Sequence, residues 1–355
     1  MNLFIYGAYG YTGELITRLA AKRGHFPFLG GRDKEKLRKL AHELQLHYVA
    51  FPLEDTDTLN RVLSEFDIVI NCAGPFSKTA GPLVEACLYN KVHYLDITGE
   101  IGVFEWIAAK GAEARETNIV LMPGVGFDVV PTDCLAAFLK NQLPDATHLE
   151  LAFYGVQAMS RGTALTALEN LHRGGAIRDN GRIRKVPAAY DTRYIPFAPG
   201  KEMLAVTIPW GDVSTAWHST RIPNIRVYSV VSEKALQLMK TSRYLGWLLK
   251  APPVQRQLRS RVNRLVTGPS EEQRAKGKSY IWGEVRNAAG DVVTARMQTP
   301  EGYQLTAMTA VLAAETLNRV RIPAGYHTPS SAFGPDFILE AKGVKREMPQ
   351  HSEAV

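Results

Sequence analysis

Short apolar runs and helical stripes alternate along the first 130 residues. Leu3–Tyr6, Phe26–Leu29, Tyr48–Phe51, Asp67–Asn71, His93–Asp96 and Ile119–Met122 each read as a buried strand bounded by turn residues. Between them, Glu14–Arg23, Lys34–Leu44, Thr56–Glu65, Gly81–Leu88 and Val103–Glu116 repeat apolar residues at helical spacing. Strand–helix alternation of this kind predicts βαβ units and a doubly wound parallel sheet. Beyond Pro131 the period changes. Leu149–Tyr154, Leu204–Ile208, Ile225–Val231, Tyr280–Val285 and Val292–Gln298 read as strands, several alternating apolar and polar residues as an antiparallel sheet with one wet face does. Ala288-Ala289-Gly290-Asp291 reads as the hairpin turn between the last two. Helices are expected over Cys134–Asn141, Thr163–Leu171, Glu233–Lys250 in two pieces, and Tyr303–Val320.

The expected fold class is α/β, a Rossmann doubly wound parallel sheet with a second α+β domain. A chain of 355 residues exceeds what one core usually serves, so two domains fit its length. The expected division is 1–133 for the Rossmann domain and 134–322 for an α+β substrate and dimerisation domain. Residues 323–355 are expected to pack back on the Rossmann domain, with a tail frayed from about Lys342.

Candidate chemistry begins at the first turn. Gly7-Ala8-Tyr9-Gly10-Tyr11-Thr12-Gly13 follows an apolar strand and opens an amphipathic helix. In that setting the first glycine permits a tight turn, the second lets the backbone approach a pyrophosphate, and the third brings helix close to strand. Helix N-terminal amides then hold the phosphates. The spacing is GxxGxxG rather than GxGxxG.

The end of the second strand selects the cofactor. An NAD site places Asp or Glu there for the ribose 2′-hydroxyl. Here the chain reads Leu29-Gly30-Gly31-Arg32-Asp33, with no acid before the arginine. The Arg32 guanidinium suits a 2′-phosphate, Lys36 adds charge one turn on, and Asp33 suits the cap of the helix that starts at Lys34. NADP(H) is the expected cofactor. At the end of the fourth strand, Asn71-Cys72-Ala73-Gly74-Pro75-Phe76 enters a loop at the switch point of the sheet, small enough for a ribose and nicotinamide to lie on its backbone.

These blocks, with Tyr94-Leu95-Asp96-Ile97-Thr98-Gly99-Glu100 and Gly124-Val125-Gly126-Phe127-Asp128-Val129-Val130-Pro131-Thr132-Asp133, resemble the saccharopine dehydrogenase-like oxidoreductases, a group that includes the trans-acting enoyl reductases. The likeness is dense over residues 3–133. It is thinner at Ser160–Thr163, Gly302–Thr306 and Thr328–Gly334. The resemblance implies NADP binding and a second α+β domain that closes over the nicotinamide. It leaves the substrate open.

A reductase needs a proton donor where the substrate anion forms. Tyr94, Asp96, Glu100 and Asp128 follow strands five and six and are the catalytic candidates. Two of them have a blander role as well, because Asp96, with Thr98, suits a local turn, while Asp128, with Thr132 and Asp133, suits a helix cap. No tyrosine has lysine four residues later, so the Tyr-x-x-x-Lys pair of short-chain dehydrogenases is missing. The nine histidines show no metal-ligand spacing, and no metal is expected.

Charge changes the picture at one place. The net charge is +7, yet residues 233–278 alone hold 11 Lys and Arg against 3 Glu. Tyr244–Leu249 followed by Arg256, Arg259, Arg261 and Arg264 suits an anionic membrane surface, an acyl pocket, an acidic carrier or a plain solvated face. Nucleic-acid binding is not expected, because aromatic and basic residues are not interleaved. Cys72, Cys87 and Cys134 show no paired spacing and read as buried thiols in a reducing compartment. No leader-like start and no run of about 18 apolar residues is present, so a soluble, cytoplasmic protein is expected, forming a homodimer. The functional expectation is hydride transfer from NADPH to a C=C or C=N bond of an organic substrate. A catalytically silent NADP-binding regulator and a saccharopine-type amino-acid dehydrogenase are its alternatives.

Overall fold

The computed structural model describes residues 1–155, 159–170, 174–198, 200–249 and 251–352; the side chains of 166, 167, 169, 170, 242–249, 252 and 263 lie outside that description. It divides into two units, 1–130 with 303–334 and 131–302 with 335–355.

In the first unit β1 (Leu3–Tyr6), β2 (Phe28–Gly31), β3 (Tyr48–Ala50), β4 (Ile68–Asn71), β5 (His93–Asp96) and β6 (Val120–Met122) lie parallel in the order 3-2-1-4-5-6, with Gly325–Tyr326 as a seventh edge strand beside β6. That order reverses between β1 and β4, and open α/β sheets bind ligands at such a reversal, beyond the strands' C-terminal ends. The central strands read as continuous apolar runs because helices cover both faces. Phe4, fully buried, meets Tyr6, Phe28, Phe51 and Phe66 at ring distances of 5.2–6.4 Å.

Helices α1 (Tyr11–Lys22), α2 (Lys34–Leu44), α3 (Thr56–Leu63), α4 (Phe76–Asn90), α5 (Ile101–Ala109) and α6 (Gly111–Glu116) connect these strands. Several boundaries differ from the sequence expectation, among them the start of the first helix, at Tyr11 rather than Glu14. The second strand starts at Phe28 rather than Phe26, whose side chain is 84% exposed, and it runs on through Gly30 and Gly31. A Cβ on Gly30 would stand 2.3 Å from Cζ of Phe4, so these glycines belong to the strand and make room for rings. The fourth helix starts at Phe76, which leaves Pro82 inside it rather than at its first turn. The helix expected over Val103–Glu116 is two, broken at Lys110.

The second unit is built on a ten-stranded mixed sheet. His148–Tyr154 runs parallel to Asn224–Val230 and antiparallel to Lys278–Arg286, which pairs in turn with Val292–Pro300. One sheet face packs Ala152, Ile195, Phe197, Ala205, Tyr228 and Trp282 together, and Arg193 bridges Glu150 and Glu284 beside them. Strands Gly175–Asp179, Arg182–Val186 and Thr192–Ala198 and helix Asp212–Thr220 carry no strong period in the sequence and are additions to the expected set. The basic segment folds as helices Glu233–Leu249, Pro252–Leu265 and Glu271–Lys276, so the break expected within 233–250 falls at Ala251 instead. Arg256, Arg259, Arg261 and Arg264 are exposed there, and the side chains of Tyr244–Leu249 lie outside the described residues.

The C-terminal part divides differently from the expected 134–322 and 323–355. Helix Gly302–Arg319 joins the first unit from Tyr303 onward, as does Gly325–Tyr326, but residues 335–355 join the second. The tail is paired where fraying was expected, with Lys345–Arg346 and Gln350–Ser352 bonding to Val292–Pro300. An edge strand presents a row of unmet backbone groups, and this tail covers them. Among the described residues no helix is long and apolar enough to cross a membrane.

Candidate functional site

The turn after β1 is shaped by what a side chain would strike. Gly7 has φ +81°, and a Cβ there would stand 2.8 Å from the Ala73 nitrogen, so the loops after β1 and β4 touch backbone to backbone. A Cβ on Gly13 would lie 2.3 Å from the Gly7 carbonyl oxygen. The turn spends some amides on itself. Gly7 and Ala8 donate to the Gly30 carbonyl and Gly10 to that of Gly7. Those of Tyr9, Thr12 and Gly13 meet no acceptor among the described residues, and Gly10 provides no side-chain cap. Unspent donors at a helix N-terminus are a fit for a diphosphate.

At the end of β2, Arg32 is exposed and pairs with no carboxylate among the described residues. Asp33 caps α2, accepting from the Lys36 amide at 3.1 Å, and it also pairs with Lys36 Nζ at 3.1 Å. The Tyr9 ring fills the space beside Gly31, 2.6 Å from where a Cβ would sit, and lies 5.6 Å under Lys36 Nζ. Asp33 is therefore engaged by its own helix, and the exposed Arg32 guanidinium could hold a phosphate group.

Beyond β4 a buried polar chain crosses three strands. Asn71 accepts from the Ala73 amide (3.0 Å) and donates to the Tyr94 hydroxyl (3.2 Å) and to Thr79 Oγ1 (3.2 Å). Thr79 in turn donates to the Ala73 carbonyl. Tyr94 donates to Asp96 Oδ2 (2.8 Å), whose Oδ1 accepts from the amides of Thr98 (3.0 Å) and Gly124 (2.8 Å). Ala73 is thus held through both its backbone groups. Gly74 is exposed and Pro75 precedes α4 as its N-cap. Cys72 is half-buried rather than enclosed, its thiol pushed up by burial and then by Asp96, while Cys87 and Cys134 are buried.

The four acidic and phenolic candidates separate. Tyr94 and Asp96 are fully buried and spend their oxygens on each other and on backbone amides. Burial drives the Tyr94 hydroxyl well above its ordinary value and raises Asp96 to about 6, against the pull of the amides of Thr98 and Gly124. Glu100 accepts from the amides of Phe76 (2.9 Å) and Ser77 (3.2 Å), which caps α4 from 24 residues away. Asp128 differs. Its carboxyl is partly buried, accepts no hydrogen bond among the described residues, and faces Gly99, where a Cβ would stand 2.7 Å from Oδ2. Burial raises it to about 7. The following helix starts at Val130, so Thr132 and Asp133 fall in its first turn rather than before it.

Two residues absent from the sequence candidates complete this rim. Thr306 Oγ1 accepts from the Phe127 amide (2.9 Å), and the Thr309 hydroxyl donates to the Val125 carbonyl (2.8 Å). Among the described residues no three His, Cys, Asp or Glu side chains gather as a metal requires.

Residues 3–123 match the family described as Saccharopine dehydrogenase NADP binding domain. A mouse (Mus musculus) saccharopine dehydrogenase-like oxidoreductase is 24% identical over 279 residues, which cover 72% of the chain and 62% of that relative. The chain thus spans about three fifths of the length of such relatives. A trans-acting enoyl reductase of Mycobacterium bovis (strain BCG / Pasteur 1173P2) is 29% identical over 140 residues, 37% of this chain and 34% of that one. Apo saccharopine dehydrogenase (L-Glu forming) from Saccharomyces cerevisiae shares the fold over 99% of both chains, at a TM-score of 0.67 and 12% identity. The match marks residues 3–123 as a domain whose cofactor is NADP(H).

Proposed function

We propose that the protein is an NADPH-dependent reductase that adds hydride to a C=C or C=N bond of an organic substrate. The unspent amides of Tyr9, Thr12 and Gly13 hold the diphosphate and Arg32 holds the 2′-phosphate. Backbone-anchored Ala73 keeps the β4 loop flat against that turn. NADPH, when bound, supplies the hydride. Asp128 supplies the proton: its O–H gives it to the substrate atom left with the electron pair, and water then reprotonates the carboxylate. The observation that carries this reading is the Asp128 carboxyl, unpaired among the described residues and poised near neutrality beyond the C-terminal end of β6. The likeness to the trans-acting enoyl reductase supports an acyl C=C acceptor.

The test is NADPH oxidation against enoyl thioesters, cyclic imines and keto acids. Turnover with one of the first two classes is expected, and Asp128→Asn is expected to lower it by about 10²–10⁴-fold at unchanged NADPH affinity. Tight NADPH binding with no turnover on any class sinks the reductase reading in favour of a regulator. Turnover on keto acids with free amino acids restores amino-acid chemistry.

A further inference from the structure

We propose that Thr306 and Thr309 are positioning residues whose two hydroxyls, one helical turn apart, set the loop 123–129 and thereby the place of the Asp128 carboxyl. This rests on the proton-donor reading of Asp128. The loop is pinned along most of its length. Gly124 donates to Asp96 Oδ1 and Val125 to the Asp96 carbonyl, both at 2.8 Å. From the other side Phe127 donates to Thr306 and Val125 accepts from Thr309. Gly126 sits against the Thr306 methyl, so close that a Cβ there would stand 2.8 Å from Cγ2. Val129 then donates back to Gly126 at 3.2 Å. Asp128 is the residue between two held neighbours, and its direction follows from them.

The Thr309 hydroxyl lies closer to the loop carbonyl than to any carbonyl of its own helix. A mid-helix threonine satisfies itself on the carbonyl four residues back, and Leu305 lies 3.0 Å from Thr309 Oγ1 for that purpose. Around the two threonines the buried side of the helix is apolar, with Leu305, Ala310, Val311, Ala313 and Ala314 at 0% exposure, and Thr316 is buried further along. Two threonines spaced to face one loop at 2.8–2.9 Å therefore serve that loop.

The test uses the full chain with Thr306→Val, Thr309→Val and Thr306→Ser. The readout is the titration of Asp128, followed by carbon-13 NMR and assigned by its loss in Asp128→Asn. In Thr306→Val the titration is expected to fall from about 7 by about one pH unit or more, as the loosened loop admits water. Thr306→Ser is expected to restore it, and NADPH affinity to stay within about two-fold throughout. An Asp128 titration unmoved in both valine variants overturns the proposal, even where thermal stability drops. Should Thr306→Val not fold, Thr309→Val loses, toward the loop, the Val125 bond alone, and an unmoved titration in that variant overturns the proposal. Failure of the proton-donor reading shows elsewhere, as full turnover in Asp128→Asn.

Discussion

The carboxyls of Asp96 and Asp128 divide by what they accept. Asp96 is compensated by two amides and a phenol and stays near 6 despite complete enclosure. Asp128 has no such donors among the described residues, and burial alone takes it to about 7. Its ordinary value is 3.8, so the unfolded chain releases this proton before the folded one. Below about pH 4 both states hold the proton and ionisation costs nothing. As pH rises toward 7 the wild type loses stability relative to a side chain that never ionises, and above 7 the loss levels off. Asp128→Asn should therefore be more stable than wild type at pH 8, by about 2–4 kcal/mol, with the difference vanishing near pH 4. Denaturant unfolding at the two pH values checks it, and a difference that does not depend on pH contradicts it. Arg32 makes a second prediction at this scale. Arg32→Ala should weaken NADPH binding by about 10–100-fold, the loss of charged hydrogen bonds, and leave NADH unchanged. An equal effect on both cofactors, measured by fluorescence titration, removes the 2′-phosphate role.

Elements are legible where local pattern and tertiary packing agree. The glycine turn, Asp33 as the cap of α2 and the β4 loop all stand where their spacing puts them, because each acts within a few residues of chain. The elements that pattern misplaces depend on partners far away. The second strand reads as Phe26–Leu29 and stops short of Gly30, since nothing local reveals that Phe4 occupies the space beside Gly30. Pro82 reads as a helix start because the true start at Phe76 is capped by Glu100, which lies beyond the next strand. The same distance disguises Glu100 as a catalytic candidate. Glu100→Ala should cost about 0.5–2 kcal/mol of stability, the value of a lost cap, and leave NADPH affinity unchanged. A fall in turnover larger than the stability loss explains, measured below the unfolding temperature, returns Glu100 to the chemistry.

At the scale of the molecule, the first unit is assembled from residues 1–130 and 303–334, and no periodicity announces that. An amphipathic helix shows which face it buries, not which sheet it covers. Helix Gly302–Arg319 is tied to the Rossmann sheet by specific pairs instead. Glu315 meets Arg23 (3.0 Å) and His25 (2.7 Å), Tyr303 packs edge-on against Tyr11 at 5.0 Å, and Thr306 and Thr309 hold the loop after β6. Gly325–Tyr326 then closes the sheet beside β6. A fragment of residues 1–130 lacks all of these and leaves an apolar face of the sheet open, so it should unfold without a cooperative transition and bind NADPH weakly. Phe127 touches Thr306, so residues 130 and 303 are each only three residues from a shared contact, a span of at most about 27 Å. A Gly-Ser linker of about ten residues covers it, since such a linker extends to roughly 17 Å at rest and further when stretched. The fusion of 1–130 through that linker to 303–334 should fold cooperatively and bind NADPH as the full chain does, to within about ten-fold. If 1–130 alone matches the fusion in both respects, the helix is a passenger on the Rossmann sheet, and the hold it exerts on the Asp128 loop loses its physical basis.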